Sequence, residues 1–195
     1  SKKSGNFSVQ TDNSQDFYKL KESNGETQFI GYEQFESIAT LIGKVSLGDK
    51  NSLVFDKTPF YAEGGGQQGD NGEILDGDKV VGIVEDTYKP VEGIFSHLTS
   101  VTSELQIGKK YTLKVDMISR GYTMCNHTAT HLLQSALIEV FGDHIKQAGS
   151  NVGPSRLRFD FTHPESLKKE ELNQIEQLVN NQIKKQVPVN HQVMS

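Results

Sequence analysis

The stretch Leu75-Asp-Gly-Asp78, followed by KVVGIVED over 79–86 and IFSHL over 94–98, decides how the first part of this chain folds. Asp-Gly between two apolar runs signals a tight turn, because glycine takes a positive φ at no steric cost. The flanking runs are short and rich in β-branched residues, so they read as strands. Outward from there, NSLVF at 51–55 and KYTLKVDM at 110–117 have the same character, and Gly108 marks a turn before the latter. Short strands at near-regular spacing, with no useful helical period among them, predict a small β-barrel or sandwich over residues 27–117. Residues 1–26 are rich in Ser, Asn, Lys and Gln and read as a linker or the tail of a preceding domain.

The pattern changes after Arg120. A helix is expected from Asn126, as its cap, to Phe141, with Gly142 as the stop signal. Leu132, Leu133, Ala136, Leu137 and Val140 fall on one side of it and form its core face. RLRFDF at 156–161 alternates strictly: Leu157, Phe159 and Phe161 point one way, and Arg156, Arg158 and Asp160 the other. A second helix, Lys168 to Lys185, carries Leu172, Ile175, Leu178, Val179 and Ile183 at helical spacing and stops before Pro188. Val187, Val189 and Val193 begin what reads as a further strand. The expected fold class is α+β: a small β-barrel, then an α/β two-layer unit over residues 118–195 whose sheet is unfinished.

Composition sets outer bounds. With 195 residues, 34% hydrophobic and 23% charged, the chain has the make-up of a globular protein with a real core. No apolar run approaches the roughly 18 residues of a membrane span, and SKKSGNFSVQTDNSQDFY at the start lacks the apolar centre of a signal peptide. The lone Cys125 excludes an internal disulfide, so the expected compartment is the cytoplasm. A net charge of -5 argues against a protein that coats DNA or RNA non-specifically, but leaves room for docking one RNA end.

Two segments carry candidate chemistry. In His127-Thr-Ala-Thr-His131 the histidines are four apart, so on a helix both imidazoles face one side and can reach one metal ion. Thr128 stands where a zinc protease has its glutamate base, and two ligands alone complete no zinc site. The other segment is TPFYAEGGGQQGD at 58–70. Its consecutive glycines permit positive φ and close backbone approach, but no Gly-Lys-Ser/Thr follows, so it is not a phosphate loop.

Taken together, these segments resemble the proofreading region of alanyl-tRNA synthetases and their free-standing editing relatives. Residues 58–70, NHTATHLL at 126–133, GDHIKQAGS at 142–150, the RLRFDF strand and the helix with Leu178-Val179-Asn180 occur in family order, over about Phe29 to Met194. The resemblance implies hydrolysis of mischarged Ser-tRNA or Gly-tRNA for alanine, with the 3′ end of tRNA(Ala) and other domains of a parent synthetase as partners. It implies zinc held by His127 and His131, together with a Cys and a His from a C-x-x-x-H segment beyond Ser195. Gln147 corresponds to a glutamine beside the substrate and is the candidate catalytic residue. Thr130, Gly66 and Gln67 are candidate substrate-binding residues, with Gly64–Gln67 expected to face the histidine helix. ATP and magnesium would serve only another domain of the parent enzyme, which joins alanine to tRNA. Gly64 and Ser119 depart from the synthetase pattern, Gly64 toward the free-standing proteins and Ser119 from an arginine pair with Arg120. Two other readings stay open: a free-standing deacylase, or a non-catalytic tRNA-binding module with structural histidines. Lys168, Lys169, Lys184 and Lys185 are candidate RNA contacts or a solvated helix face.

Overall fold

Burial alternates along Glu36–Leu47, every second side chain turning inward, as a strand with one covered face requires. The computed structural model describes residues 13–47, 50–101 and 104–188. In chain order its elements are α1 (Ser14–Asn24), β1 (Gln28–Phe29), β2 (Glu36–Leu47), β3 (Lys50–Phe55), β4 (Lys57–Thr58), β5 (Gly72–Asp76), β6 (Lys79–Val91), β7 (Ile94–Val101) and β8 (Lys110–Val115). They are followed by α2 (Met117–Phe141), β9 (Gln147–Val152), β10 (Leu157–Phe161) and α3 (Lys169–Lys184). The class is mixed α+β, and the chain divides into two compact units, residues 1–121 and 122–195.

The first unit is a closed barrel in the order β2-β3-β7-β6-β5-β8. Every neighbouring pair is antiparallel, and closure removes the exposed edges that an open sheet of this size would carry. The expected turn at 75–78 joins β5 to β6, with Gly77 at φ 60° and Asp76 opposite Lys79. Leu41, Leu53, Phe55, Phe60, Ile74, Val84 and Leu113 fill the interior. The expectation of a linker through residue 26 is corrected: Ser14–Asn24 is a helix. Its Phe17, 2% exposed, joins Val45, Val54, Val91 and Ile94 in a second apolar cluster, with Leu20 beside it. The sequence signal was weak because one buried aromatic and one leucine anchor an otherwise polar helix.

The second unit contains the rest of α2, the antiparallel pair β9–β10, and α3. Ala136 and Leu137 of α2, Ile145 and Ile175 form its core, with Leu133, Val140, Phe159, Phe161, Leu178 and Val179 packed around them. The alternation read in 156–161 places Phe159 and Phe161 in that cluster and pairs Arg158 with Asp160 at 3.0 Å on the other face. β9 had no signature of its own; its pairing with β10 makes it a strand. The helix expected from Asn126 begins instead at Met117. Asp116 caps it, its Oδ1 accepting the N–H groups of Ile118 and Ser119 at 2.9 and 3.1 Å. The unit boundary accordingly falls after Gly121 rather than after Met117. α3 begins one residue later than expected, with Glu171 accepting the Lys168 N–H at 2.7 Å. Its expected apolar face is only half covered. Ile175 is buried, whereas Leu172 and Ile183 are 50% and 52% exposed, because the small core reaches only the middle of the helix. Val187 lies in no strand, and Val189 and Val193 fall outside the described residues. No helix among the described residues is long and apolar enough to cross a membrane.

Candidate functional site

In the first unit, residues 58–70 form a cross-braced loop. Thr58, fully buried, places its Oγ1 2.7 Å from Nε2 of His97 and accepts the N–H of Phe60 at 3.1 Å. The His97 Nδ1 lies 2.9 Å from the Leu53 carbonyl, an acceptor only, so Nδ1 carries the proton and Nε2 receives the Thr58 hydroxyl. Edge-on rings of Phe55 and Phe60 enclose this imidazole, and burial lowers its pKa to about 4, with the Leu53 bond opposing the shift. At the far end of the loop, Asp70 accepts the Tyr61 N–H at 2.8 Å and the Arg120 Nε at 2.8 Å, with Arg120 Nη2 also on Oδ2. The same guanidinium donates to the carbonyls of Gly31 and Pro59, each at 3.1 Å. Arg120 and Asp70 are 6% and 5% exposed, so this arginine is a structural clamp rather than an RNA contact.

Between these braces, Gly64 and Gln67 exchange backbone hydrogen bonds at 3.1 and 3.0 Å around Gly65 and Gly66, whose φ values are 59° and 82°. Two central residues with positive φ make a hairpin-type turn that any Cβ would strain. A Cβ on Gly65 would meet nothing within 4 Å, so the glycines there answer to conformation and not to a crowding neighbour. Close approach is real at Gly69 instead, where a Cβ would stand 2.0 Å from the Thr87 carbonyl oxygen. Gln67 is 7% exposed. Beside the hairpin, burial raises the Asp86 carboxyl above the ordinary carboxylate range; the Thr87 N–H opposes this and nearby Glu63 adds to it.

In the second unit, His127 and His131 face the same side of α2 with near-parallel rings, centroids 5.1 Å apart and planes 19° apart. His127 is half-buried and His131 exposed. Asn126, expected as a cap, lies inside the helix and donates its side-chain N–H to the Gly153 carbonyl at 2.8 Å, tying this turn to the β9–β10 connection. Thr130 is buried, 6% exposed, and donates to the Asn126 carbonyl at 2.9 Å. Gln147 opens β9, exposed, with its Nε2 donating to Ser150 Oγ at 3.1 Å. Gly66 and Gln67 belong to the first unit, and His127, Thr130, His131 and Gln147 to the second.

The donor set fits two positions of a zinc site. The imidazoles stand one helical turn apart on one side, their rings stacked with centroids 5.1 Å apart, and a zinc site needs further donors besides them. Among the described residues no group of three or more His, Cys, Asp and Glu side chains comes together, so no third ligand is found there. Cys125 is exposed. A second imidazole pair that spacing did not recommend, His144 and His163, approaches at 3.2 Å between Nε2 and Nδ1. Spacing likewise gives no sign of the buried roles of His97, Asp70 and Arg120. Only the polar residues ending TPFYAEGGGQQGD, and the arginine after the last barrel strand, pointed toward the last two.

Residues 1–119 match the family model of class II (A) tRNA synthetases. Over 189 residues the chain is 46% identical to the alanine–tRNA ligase of Pseudothermotoga lettingae, covering 96% of this chain and 22% of that protein. It is 42% identical over 200 residues to the enzyme of the same name from Petrotoga mobilis, covering 96% of this chain and 23% of that protein. Against that of Geobacillus thermodenitrificans it is 41% identical over 182 residues, covering 87% of this chain and 20% of the relative. The chain therefore spans about a fifth of the length of these relatives.

Proposed function

Because the chain belongs to the class II (A) tRNA synthetase family, we propose that it is the proofreading part of an alanine–tRNA ligase, hydrolysing the ester that joins serine or glycine to the 3′ end of tRNA(Ala). The observation that carries this reading is the His127–His131 pair, stacked on one side of α2 and open at His131. Those two imidazoles would hold zinc, with further ligands from residues other than those described. Bound there, the ion would polarise the ester carbonyl or acidify a water. Asn126 ties the helix turn that carries the pair to the β9–β10 connection. Gln147, itself exposed, supplies one amide that both donates and accepts, and its bond to the Ser150 hydroxyl is readily exchanged for substrate. Thr130, its proton committed to the helix backbone, contributes a shaped surface and a lone pair rather than a donor.

The need for such a site follows from the chemistry of alanine. A pocket built for one methyl group rejects glycine by only about 1–3 kcal/mol and tolerates the added hydroxyl of serine. Removal of wrong products at a second site restores accuracy. By the same proposal, the joining of alanine to tRNA with ATP and magnesium belongs to other parts of the longer enzyme. The test is deacylation of Ser-tRNA(Ala) and Ala-tRNA(Ala) by the full-length enzyme carrying His131→Ala. Hydrolysis of the serine ester should fall to the uncatalysed rate while alanine attachment persists. Clearance of Ser-tRNA(Ala) at the wild-type rate would overturn the reading.

A further inference from the structure

Tyr32 is 81% exposed, yet it sits in a turn whose flanking residues are tied down. The preceding residue, Gly31, gives its carbonyl to the buried Arg120 guanidinium at 3.1 Å. Ile30 donates its N–H to the Thr58 carbonyl at 2.9 Å, and Glu33 and Gln34 close the turn onto Ile30 at 3.2 and 3.1 Å. The ring is backed as well. It meets Phe29 edge-on at 5.0 Å, Phe29 stacks on Phe95 at 5.4 Å with planes 6° apart, and Phe29 also meets Tyr61 at 6.2 Å. Lys89 Nζ stands 4.9 Å over Phe95. Tyr61 joins this aromatic row to the glycine hairpin, its hydroxyl donating to the Gly64 carbonyl at 3.4 Å.

Apart from its edge contact with Phe29, a ring held out in water gains little for folding, since it forgoes the burial that would stabilise it. It suits a partner with a flat π-face. We infer that Tyr32, backed by Phe29, Phe95 and Tyr61, is a stacking platform for an unpaired nucleobase near the 3′ end of the RNA on which this chain acts, an inference that rests on the proofreading reading. Stacking accounts for how a chain of net charge -5 engages RNA: the contact is between neutral faces and needs no basic patch. A cation, Lys89, stands over Phe95 in this row, where a backbone phosphate would pass.

The experiment uses this chain and an RNA hairpin bearing a short single-stranded 3′ tail with a fluorescent purine analogue, against the same hairpin with a blunt end. The wild-type chain should bind the tailed RNA more tightly and quench the analogue. Tyr32→Ala should weaken binding of the tailed RNA about 5- to 100-fold and abolish quenching, while Tyr32→Phe and Tyr32→Trp retain both. Because the ring is largely exposed and loses only its edge contact with Phe29, the thermal unfolding of Tyr32→Ala should stay close to wild type. Equal binding of tailed RNA by Tyr32→Ala and wild type would overturn the inference. So would equal affinity of the wild type for tailed and blunt RNA, or no binding of either. His131→Ala separates the two proposals: it should lose deacylation and keep quenching. Stacking without deacylation in the wild-type enzyme would sink the proofreading reading alone.

Discussion

His97 is the residue whose protonation most directly tests the packing of the barrel. Folded, its pKa is about 4; unfolded, it is near the ordinary 6.5. Between these values the unfolded chain binds the extra proton, so the contribution of this residue is complete above about pH 6.5 and falls as pH drops toward 4. The full loss is about 3 kcal/mol, from roughly 1.4 kcal/mol per pKa unit. Urea unfolding at pH 7.5 and pH 5 should show this slope, and His97→Gln should flatten it relative to wild type; an unchanged slope would show that another group carries the dependence. Arg120 and Asp70 make the second residue-scale case. Arg120→Ala would leave the Asp70 carboxylate buried without its cation, a loss of about 3–5 kcal/mol readable as a lowered urea midpoint. Nothing in sequence spacing marks His97 as a core residue, because the groups that enclose and bind it, Leu53, Phe55, Thr58 and Phe60, come from other parts of the barrel.

At the scale of elements, α2 and the glycine hairpin are where local signals and structure parted. Asn126 has the side chain of a cap but lies within the helix; Asp116, also a good cap, follows the strand-like run that begins at Lys110 and starts the helix instead. Asp116→Ala should therefore cost about 1 kcal/mol, while an alanine at Asn126 should leave the start of the helix intact and release its tie to Gly153 instead. Amide exchange localised to residues 118–120 in the first variant distinguishes the two effects. The hairpin offers a cleaner contrast. Gly65→Ala should lower stability by about 1–2 kcal/mol because φ is positive there, and Gly65→Asn should cost less, since asparagine tolerates that region and nothing stands within 4 Å of the new Cβ. If asparagine proved as damaging as alanine, a crowding neighbour rather than backbone conformation would explain the glycine.

For the molecule as a whole, the division after Gly121 makes Arg120 part of the barrel unit. A chain cut after Met117 should unfold at markedly lower urea than one cut after Met124, by circular dichroism, because only the second retains the clamp on Asp70. Zinc provides the other test at this scale: with two imidazoles and no third donor gathered among the described residues, calorimetry should show binding of this chain far weaker than nanomolar. A tight one-to-one site would mean that other residues complete it. Sequence alone determined the mixed α+β class, the strand-rich first part, the α3 helix and the pairing of His127 with His131 on one helix face. Each of these is a matter of periodicity within a single element, where residues two or four apart are fixed neighbours. Tertiary structure decided the closure of the barrel, the existence of β9, the use of α1 as a cover and the buried pairs Thr58–His97 and Asp70–Arg120. These depend on groups far apart in the chain whose meeting is set by strand register and burial. No local pattern encodes that a polar side chain will lose its water and find its partner some fifty residues away.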